Sequence, residues 1–268
     1  MPDLLVERDG HKLVLTMNRP KRFNALSGAM IVRMYHFNLR DKRNFSLRYW
    51  ENDSYFTTNK QNVVLYLCGE GTCSYPSRKD YFDVLAEKHK ADIFVLEHRY
   101  YGASQPFADW SLKNMTYLTV NQALADIAHF IQARNEEFGE VKKWVVVGGS
   151  YPGALAAWFR YKYPHLTVGG WSSSGVVESI TDFTRFDGQV RDSVFKSGEP
   201  CYETIKSLVQ EAENSLPGVK ELFNADESMP DDEFFWMLAD IITTPIQYSN
   251  RTKFCEFITQ NYRIEALA

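Results

Sequence analysis

The stretch Trp144-Val145-Val146-Val147-Gly148-Gly149-Ser150-Tyr151-Pro152-Gly153-Ala154-Leu155-Ala156-Ala157-Trp158-Phe159 decides the reading of this chain. Four apolar residues suit a strand buried on both faces, and the alanine-rich run after Pro152 suits a helix. Between them, glycines around Ser150 permit a strained turn and close helix-strand packing. Strand, sharp turn and helix are the context in which a G-x-S match becomes a nucleophile elbow, with the Ser150 hydroxyl projecting above the sheet. The N–H of Tyr151 then points to where a tetrahedral oxyanion would form, reinforced by the helix dipole. Pro152 stands where the motif usually has its second glycine. The first turn of a helix tolerates it, because a missing N–H there leaves no bond unmade. The alternative is a plain tight turn or an anion-binding glycine loop. Phosphate binding would call for a P-loop lysine, and none follows.

Outward from this point, short apolar runs recur at residues 63–67 and 93–96, separated by helical patterns at 80–89 and 120–138. In the longer helix Leu124, Ile127, Ala128 and Ile131 share one face. Phe45, Leu47 and Tyr49 alternate with polar neighbours as in a half-buried strand. This alternation predicts a doubly wound and mostly parallel α/β sheet with functional loops at the carboxyl ends of its strands, and the elbow at Ser150 makes it an expected α/β-hydrolase core. After Ser174 helical patterns take over, at 204–216 and 231–243, and predict a partial helical cap. The opening reads as a hairpin turning at Asp9-Gly10, followed by a helical pattern over 25–34 and a change of character near Tyr35-His36-Phe37. The expected division is therefore 1–35, 36–177 and 178–268.

Two further loops fall at the functional rim. Cys68-Gly69-Glu70-Gly71-Thr72 follows the first apolar run, where a second oxyanion donor arises, so the backbone N–H of Glu70 or Gly71 is the candidate; two glycines in an ordinary turn is the alternative. Glu97-His98-Arg99-Tyr100-Tyr101-Gly102 follows the second run. Glu97 and Tyr101 could border a substrate site there, or a buried Glu97–Arg99 pair could hold the rim together. A core or hydrogen-bonding role is expected for His98.

The 268 residues, 44% apolar with a formal charge of −4, offer no basic face for nucleic acid and no run long enough to span a membrane. The four cysteines lack zinc-site spacing, so neither metal nor cofactor is expected. Sequons at Asn44, Asn52, Asn114 and Asn250 and the even cysteine count lean toward an oxidising compartment. Met1 to Arg8 nevertheless lacks the basic and apolar pattern of a signal peptide.

Gly148-Gly149-Ser150-Tyr151, Glu97-His98-Arg99-Tyr100-Tyr101-Gly102-Ala103-Ser104, Gly69-Glu70-Gly71 and the entry His36-Phe37-Asn38 with Arg48-Tyr49-Trp50 resemble the prolyl carboxypeptidase and dipeptidyl peptidase II family over about residues 36–257. The resemblance implies a lysosomal or secreted serine exopeptidase that acts on proline-containing peptides through an acyl-enzyme and carries a helical insertion over its core. It also implies a disulfide between Cys201 and Cys255 within that insertion. The acid and base of such enzymes follow the insertion. The one histidine after Ser150 is His165, about 16 Å along the nucleophile helix and out of reach. This chain alone is thus expected to hydrolyse peptides negligibly, and a catalytically inactive peptide-binding fragment is the rival reading. Val14-Leu15-Thr16-Met17-Asn18-Arg19-Pro20 with Asn24-Ala25-Leu26-Ser27 resembles the start of the crotonase family. That match covers only an entry hairpin and first helix (residues 3–34), too little to enclose a CoA thioester.

Overall fold

A computed structural model describes residues 4–9, 12–17, 26–55, 61–75, 80–226 and 228–268. The chain divides into two compact units, Met1–Ser179 and Ile180–Ala268. In the first unit β1 (Leu4–Asp9) and β2 (Lys12–Met17) pair antiparallel as a separate two-stranded sheet, in register from Leu4 opposite Met17.

The main sheet has six strands: β3 (Leu26–Arg33), β4 (Asn44–Asn52), β5 (Asn62–Leu67), β6 (Asp92–Leu96), β7 (Lys143–Gly149) and β8 (Gly169–Ser173), in the order β3-β4-β6-β5-β7-β8. β3, β4 and β6 pair antiparallel, and β6, β5, β7 and β8 run parallel. The helices of this unit are α1 (Tyr81–His89), the single turn α2 (Leu112–Met115), α3 (Val120–Phe138) and α4 (Tyr151–Lys162). This is an α/β-hydrolase core.

The central strands are continuously apolar because both sheet faces are covered. Val63, Leu65, Leu67, Phe94, Leu96, Trp144 and Val146 meet Leu124, Ile127, Ile131 and Phe159 of α3 and α4 on one face. Val64, Ile93, Val95 and Val147 meet Phe82 and Ala86 of α1 on the other. Helix ends follow local chemistry. Asp80 and Asp83 form a capping box at α1, Thr119 accepts from the Gln122 N–H at α3, and Gly139 closes α3 in the left-handed region at φ 70°.

One sequence expectation is overturned: residues 26–33 form a strand, where a helix over 25–34 was expected. Met30, Val32 and Met34 turn inward while Ile31 is exposed, a period of two that emerges once the segment lies in register on β4. The main sheet therefore begins inside the stretch read as the separate segment 1–35. The hairpin turn at Gly10 and the Pro20 stop lie outside the described residues.

The second unit holds α5 (Thr184–Phe195), α6 (Glu199–Asn214), α7 (Leu216–Leu222), α8 (Asp231–Tyr248), α9 (Arg251–Gln260) and a short 3-10 turn, Ile264–Ala266. Leu208, Ala212, Phe234, Leu238 and Ile242 form its core at helical spacing. Asp231, Asp232 and Glu233 occupy the first turn of α8, where acidic groups favour the helix N-terminus. Cys201 of α6 and Cys255 of α9 are joined by a disulfide. Among the described residues, no helix is long and apolar enough to cross a membrane.

Candidate active site around Ser150

Ser150 sits between β7 and α4 with φ 59° and ψ −128°, a left-handed conformation that a residue with a side chain rarely adopts. Its N–H donates to the Ser173 carbonyl of β8 at 2.9 Å, so the sheet itself fixes the turn. The side chain is exposed and does not cap the helix it opens. Gly148 and Gly153 are required by contact. A Cβ on Gly148 would lie 2.2 Å from the Pro152 carbonyl oxygen, and one on Gly153 would lie 2.8 Å from that of Ser173. Pro152 falls in the first turn of α4, the place where its ring is tolerated.

The loop 68–73 lies against this elbow. A Cβ on Gly69 would approach Pro152 Cγ to 2.9 Å, so glycine lets the loop backbone lie against the proline ring. A disulfide between Cys68 and Cys73 closes the loop, a pairing that sequence reading missed although the spacing of five residues offered a signal. Cys68 N–H donates to the Leu96 carbonyl at 3.0 Å, and Cys73 N–H lies 3.4 Å from Glu97 Oε1. Glu70 and Gly71 project into the open between these anchors.

Glu97 is not a rim residue, and its ionic partner is not Arg99. It is 1% exposed, and its oxygens accept from Arg48 Nη2 at 2.5 Å, Ser104 Oγ at 2.8 Å and Ala103 N–H at 3.0 Å. Gly102, at φ 56°, is the residue that makes room, since a Cβ there would overlap Glu97 Oε1. Arg48 also donates to the Cys73 carbonyl at 3.3 Å and packs over Trp50 at 4.7 Å, which ties β4 to the disulfide loop. Arg99 is fully buried and pairs with Asp126 of α3, with Nε to Oδ2 at 2.6 Å and Nη2 to Oδ1 at 2.7 Å. His36 Nε2 lies 2.6 Å from the same carboxylate. Sequence reading had no way to select Asp126, which is one acid among many on a helix.

His98 is buried, and desolvation lowers its pKa below the usual histidine value. Its Nδ1 lies 2.7 Å from the Arg99 carbonyl, which can only accept, so Nδ1 carries the proton. Nε2 is then the acceptor for the Tyr151 hydroxyl at 2.9 Å. That lone pair is occupied in holding the Tyr151 ring and is not directed to Ser150. Burial pushes the Tyr151 phenol up to about 12. Tyr101 packs edge-on to His98 at 5.3 Å. Glu70, His98, Tyr101, Thr119 and Tyr151 border a cavity of about 320 Å³.

The four sequons differ in access. Asn44 and Asn250 are exposed, the latter accepting from Lys253 N–H at the start of α9. Asn114 is half-buried, and its amide donates to Asp109 at 2.9 Å. Asn52 is 1% exposed, and its amide nitrogen donates to the Tyr75 hydroxyl at 2.8 Å, so the folded chain has no room for a glycan there.

Known proteins share this sequence pattern. The chain is 40% identical over 233 residues to a probable serine protease, EDA2, of Arabidopsis thaliana, covering 82% of this chain and 47% of that one. It is 38% identical over 180 residues to the lysosomal Pro-X carboxypeptidase of Homo sapiens, covering 63% of this chain and 36% of the relative. It is 34% identical over 164 residues to the human thymus-specific serine protease, covering 60% and 32%. The chain thus spans about half or less of the length of these curated relatives. The family described as serine carboxypeptidase S28 matches residues 32–266, and with its elbow, disulfide loop and sheet in place the chain belongs to that family of serine peptidases.

Proposed function

We propose that Ser150 is the nucleophile of a serine exopeptidase that cuts peptides next to proline through an acyl-enzyme. The observation that carries the reading is the exposed Ser150 held at positive φ between a buried parallel strand and a helix N-terminus. Attack by its oxygen on a carbonyl would form an oxyanion, with the Tyr151 N–H and a backbone N–H of Glu70 or Gly71 as its donors. The clamp of Arg48 and Glu97 on Cys73 positions the loop, and Glu97 itself touches no substrate.

A serine hydroxyl is a weak nucleophile without an oriented base. Among the described histidines, His98 is engaged by Tyr151, His36 by Asp126, His89 and His129 lie on α1 and α3, and His165 lies beyond the far end of α4, so none is placed as that base. With no such base among the described residues, negligible peptide turnover by the 268-residue polypeptide is the expected outcome. The disulfides and the exposed Asn44 and Asn250 favour a lysosomal or secreted setting.

Fluorophosphonate treatment followed by mass mapping is expected to place a slow adduct on Ser150 and none in Ser150→Ala. Failure to modify Ser150 selectively would overturn the nucleophile assignment. Ser150-dependent turnover of an X-Pro fluorogenic peptide well above background would overturn the claim that the base is missing.

A further inference from the structure

A chain of hydrogen bonds runs from the end of β6 to the first residue of α4. Arg99 is fixed by its two bonds to Asp126, so its carbonyl is a firm point. His98 Nδ1–H donates to that carbonyl at 2.7 Å, and Nε2 accepts from the Tyr151 hydroxyl at 2.9 Å, which engages both ring nitrogens. The rings of Tyr101 and Tyr151 lie 5.3 and 5.5 Å from the imidazole. Desolvation, aided by the Arg99 charge, outweighs the backbone bond to Arg99 and the carboxylates of Asp126 and Glu70, so the imidazole is neutral at pH 7.

Tyr151 opens α4, where a backbone N–H has no intrahelical acceptor. The peptide unit that carries this N–H is held through its Ser150 carbonyl, which accepts from Ala154 N–H at 3.1 Å, and the preceding Ser150 N–H is tied to Ser173 at 2.9 Å. A residue with a side chain keeps a positive φ, as Ser150 does, only where its surroundings over-determine it. The Tyr151 side chain supplies the restraint on the remaining flank. Resting on the reading of Ser150 as nucleophile, we propose that His98 is a positioning residue, whose Nε2 lone pair holds the Tyr151 phenol and thereby aims the Tyr151 N–H at the oxyanion formed on attack by Ser150. The imidazole transfers no proton, and its role is that of a fixed acceptor. A histidine suits this place because its other nitrogen is anchored on a backbone carbonyl, which sets the tautomer.

The test treats the 268-residue chain with a fluorophosphonate at pH 7 and follows the adduct on Ser150 by mass spectrometry, alongside amide exchange at Ser150 and imidazole nitrogen NMR. Tyr151→Phe removes a single oxygen and carries the test. It is expected to slow labelling about tenfold, the scale of one hydrogen bond, and to quicken Ser150 amide exchange by a similar factor with the sheet core unchanged. His98→Leu should act alike, and the double variant should lose no more than either single one. His98→Gln, whose amide oxygen can accept from the phenol, should regain most of the rate. A merely structural role would lower Tm and leave labelling per folded molecule unchanged. Labelling and exchange in Tyr151→Phe within about twofold of the parent, effects that multiply in the double variant, a His98→Gln as slow as His98→Leu, or a His98 protonated on Nε2 overturns the positioning role. A parent that never labels while its Ser150 exchange responds to Tyr151→Phe loses the nucleophile and keeps the restraint. One that labels at a rate indifferent to Tyr151→Phe does the reverse.

Discussion

Replacing Asp126 by alanine removes the only carboxylate that faces Arg99 among the described residues, and its cost can be worked from the geometry. Arg99 is 0% exposed and gives two short bonds to Asp126, with further bonds to the carbonyls of Met34 at 3.2 Å and Tyr117 at 2.9 Å. The carbonyls neutralise no charge, so Asp126→Ala leaves a buried guanidinium uncompensated. Breaking a buried pair from one side costs about 3–5 kcal/mol. In a unit of this size each kcal/mol moves Tm by about 2–4 °C, so a fall on the order of 10 °C is expected by circular dichroism or calorimetry. The companion variant Arg99→Met/Asp126→Leu removes both charges and is expected to recover most of the loss, because a buried pair replaced by apolar residues is often neutral. It should not recover all of it, since the Met34 and Tyr117 carbonyls lose a donor. A single variant within 2 °C of the parent, or a double variant no better than the single, would refute the view of Arg99–Asp126 as a buried charge pair that joins the end of β6 to α3.

Three further outcomes follow from particular residues. Burial first, and Glu51 next, push the Asp92 carboxyl up to about 8. A raised folded pKa means that the native state holds an extra proton between about pH 4 and 8, so stability falls as pH rises through that window, with a slope approaching 1.4 kcal/mol per unit at about its steepest. Asp92→Asn should flatten this limb in urea melts taken from pH 4 to 8, and an unchanged slope would contradict a buried, protonated Asp92. The Cys201–Cys255 disulfide closes 54 residues, which the chain-entropy relation values at about 4 kcal/mol. The double alanine variant should unfold the helical unit at clearly lower denaturant, and non-reducing peptide mapping should recover the linked pair. Expressed through a secretory route, the chain should carry glycans at Asn44 or Asn250 and none at Asn52; full occupancy at Asn52 would mean that its bond to Tyr75 does not form.

What could be read from sequence was what neighbours in the chain determine. The runs ending at Leu67, Leu96 and Val147 announce strands covered on both faces, and Gly148 to Gly153 announces the elbow, because each signal lies within one strand or one turn. The errors share the opposite cause. Residues 26–33 carry a short apolar pattern compatible with either period, and only pairing with β4 settles it. Glu97 has Arg99 two positions away, yet its carboxylate meets Arg48, 49 positions upstream, because β4 pairs with β6 and brings Arg48 alongside.

Asn52 belongs to the same class. The alternation of Phe45, Leu47 and Tyr49 suggests one wet face along all of β4, but Trp50 and Asn52 are buried on the other face, where Tyr75 and α1 cover the strand's second half. The clamp on the loop 68–73 arises from this crossing of distant segments. Arg48 is tethered through its strand pairing, Glu97 through the end of β6, and Cys73 through its disulfide, and the three meet beside the elbow. A motif search finds the serine, since its strain is written in adjacent glycines. It does not find the groups that hold the loop 68–73 beside the elbow, because their proximity is created only when β6 is inserted between β4 and β5.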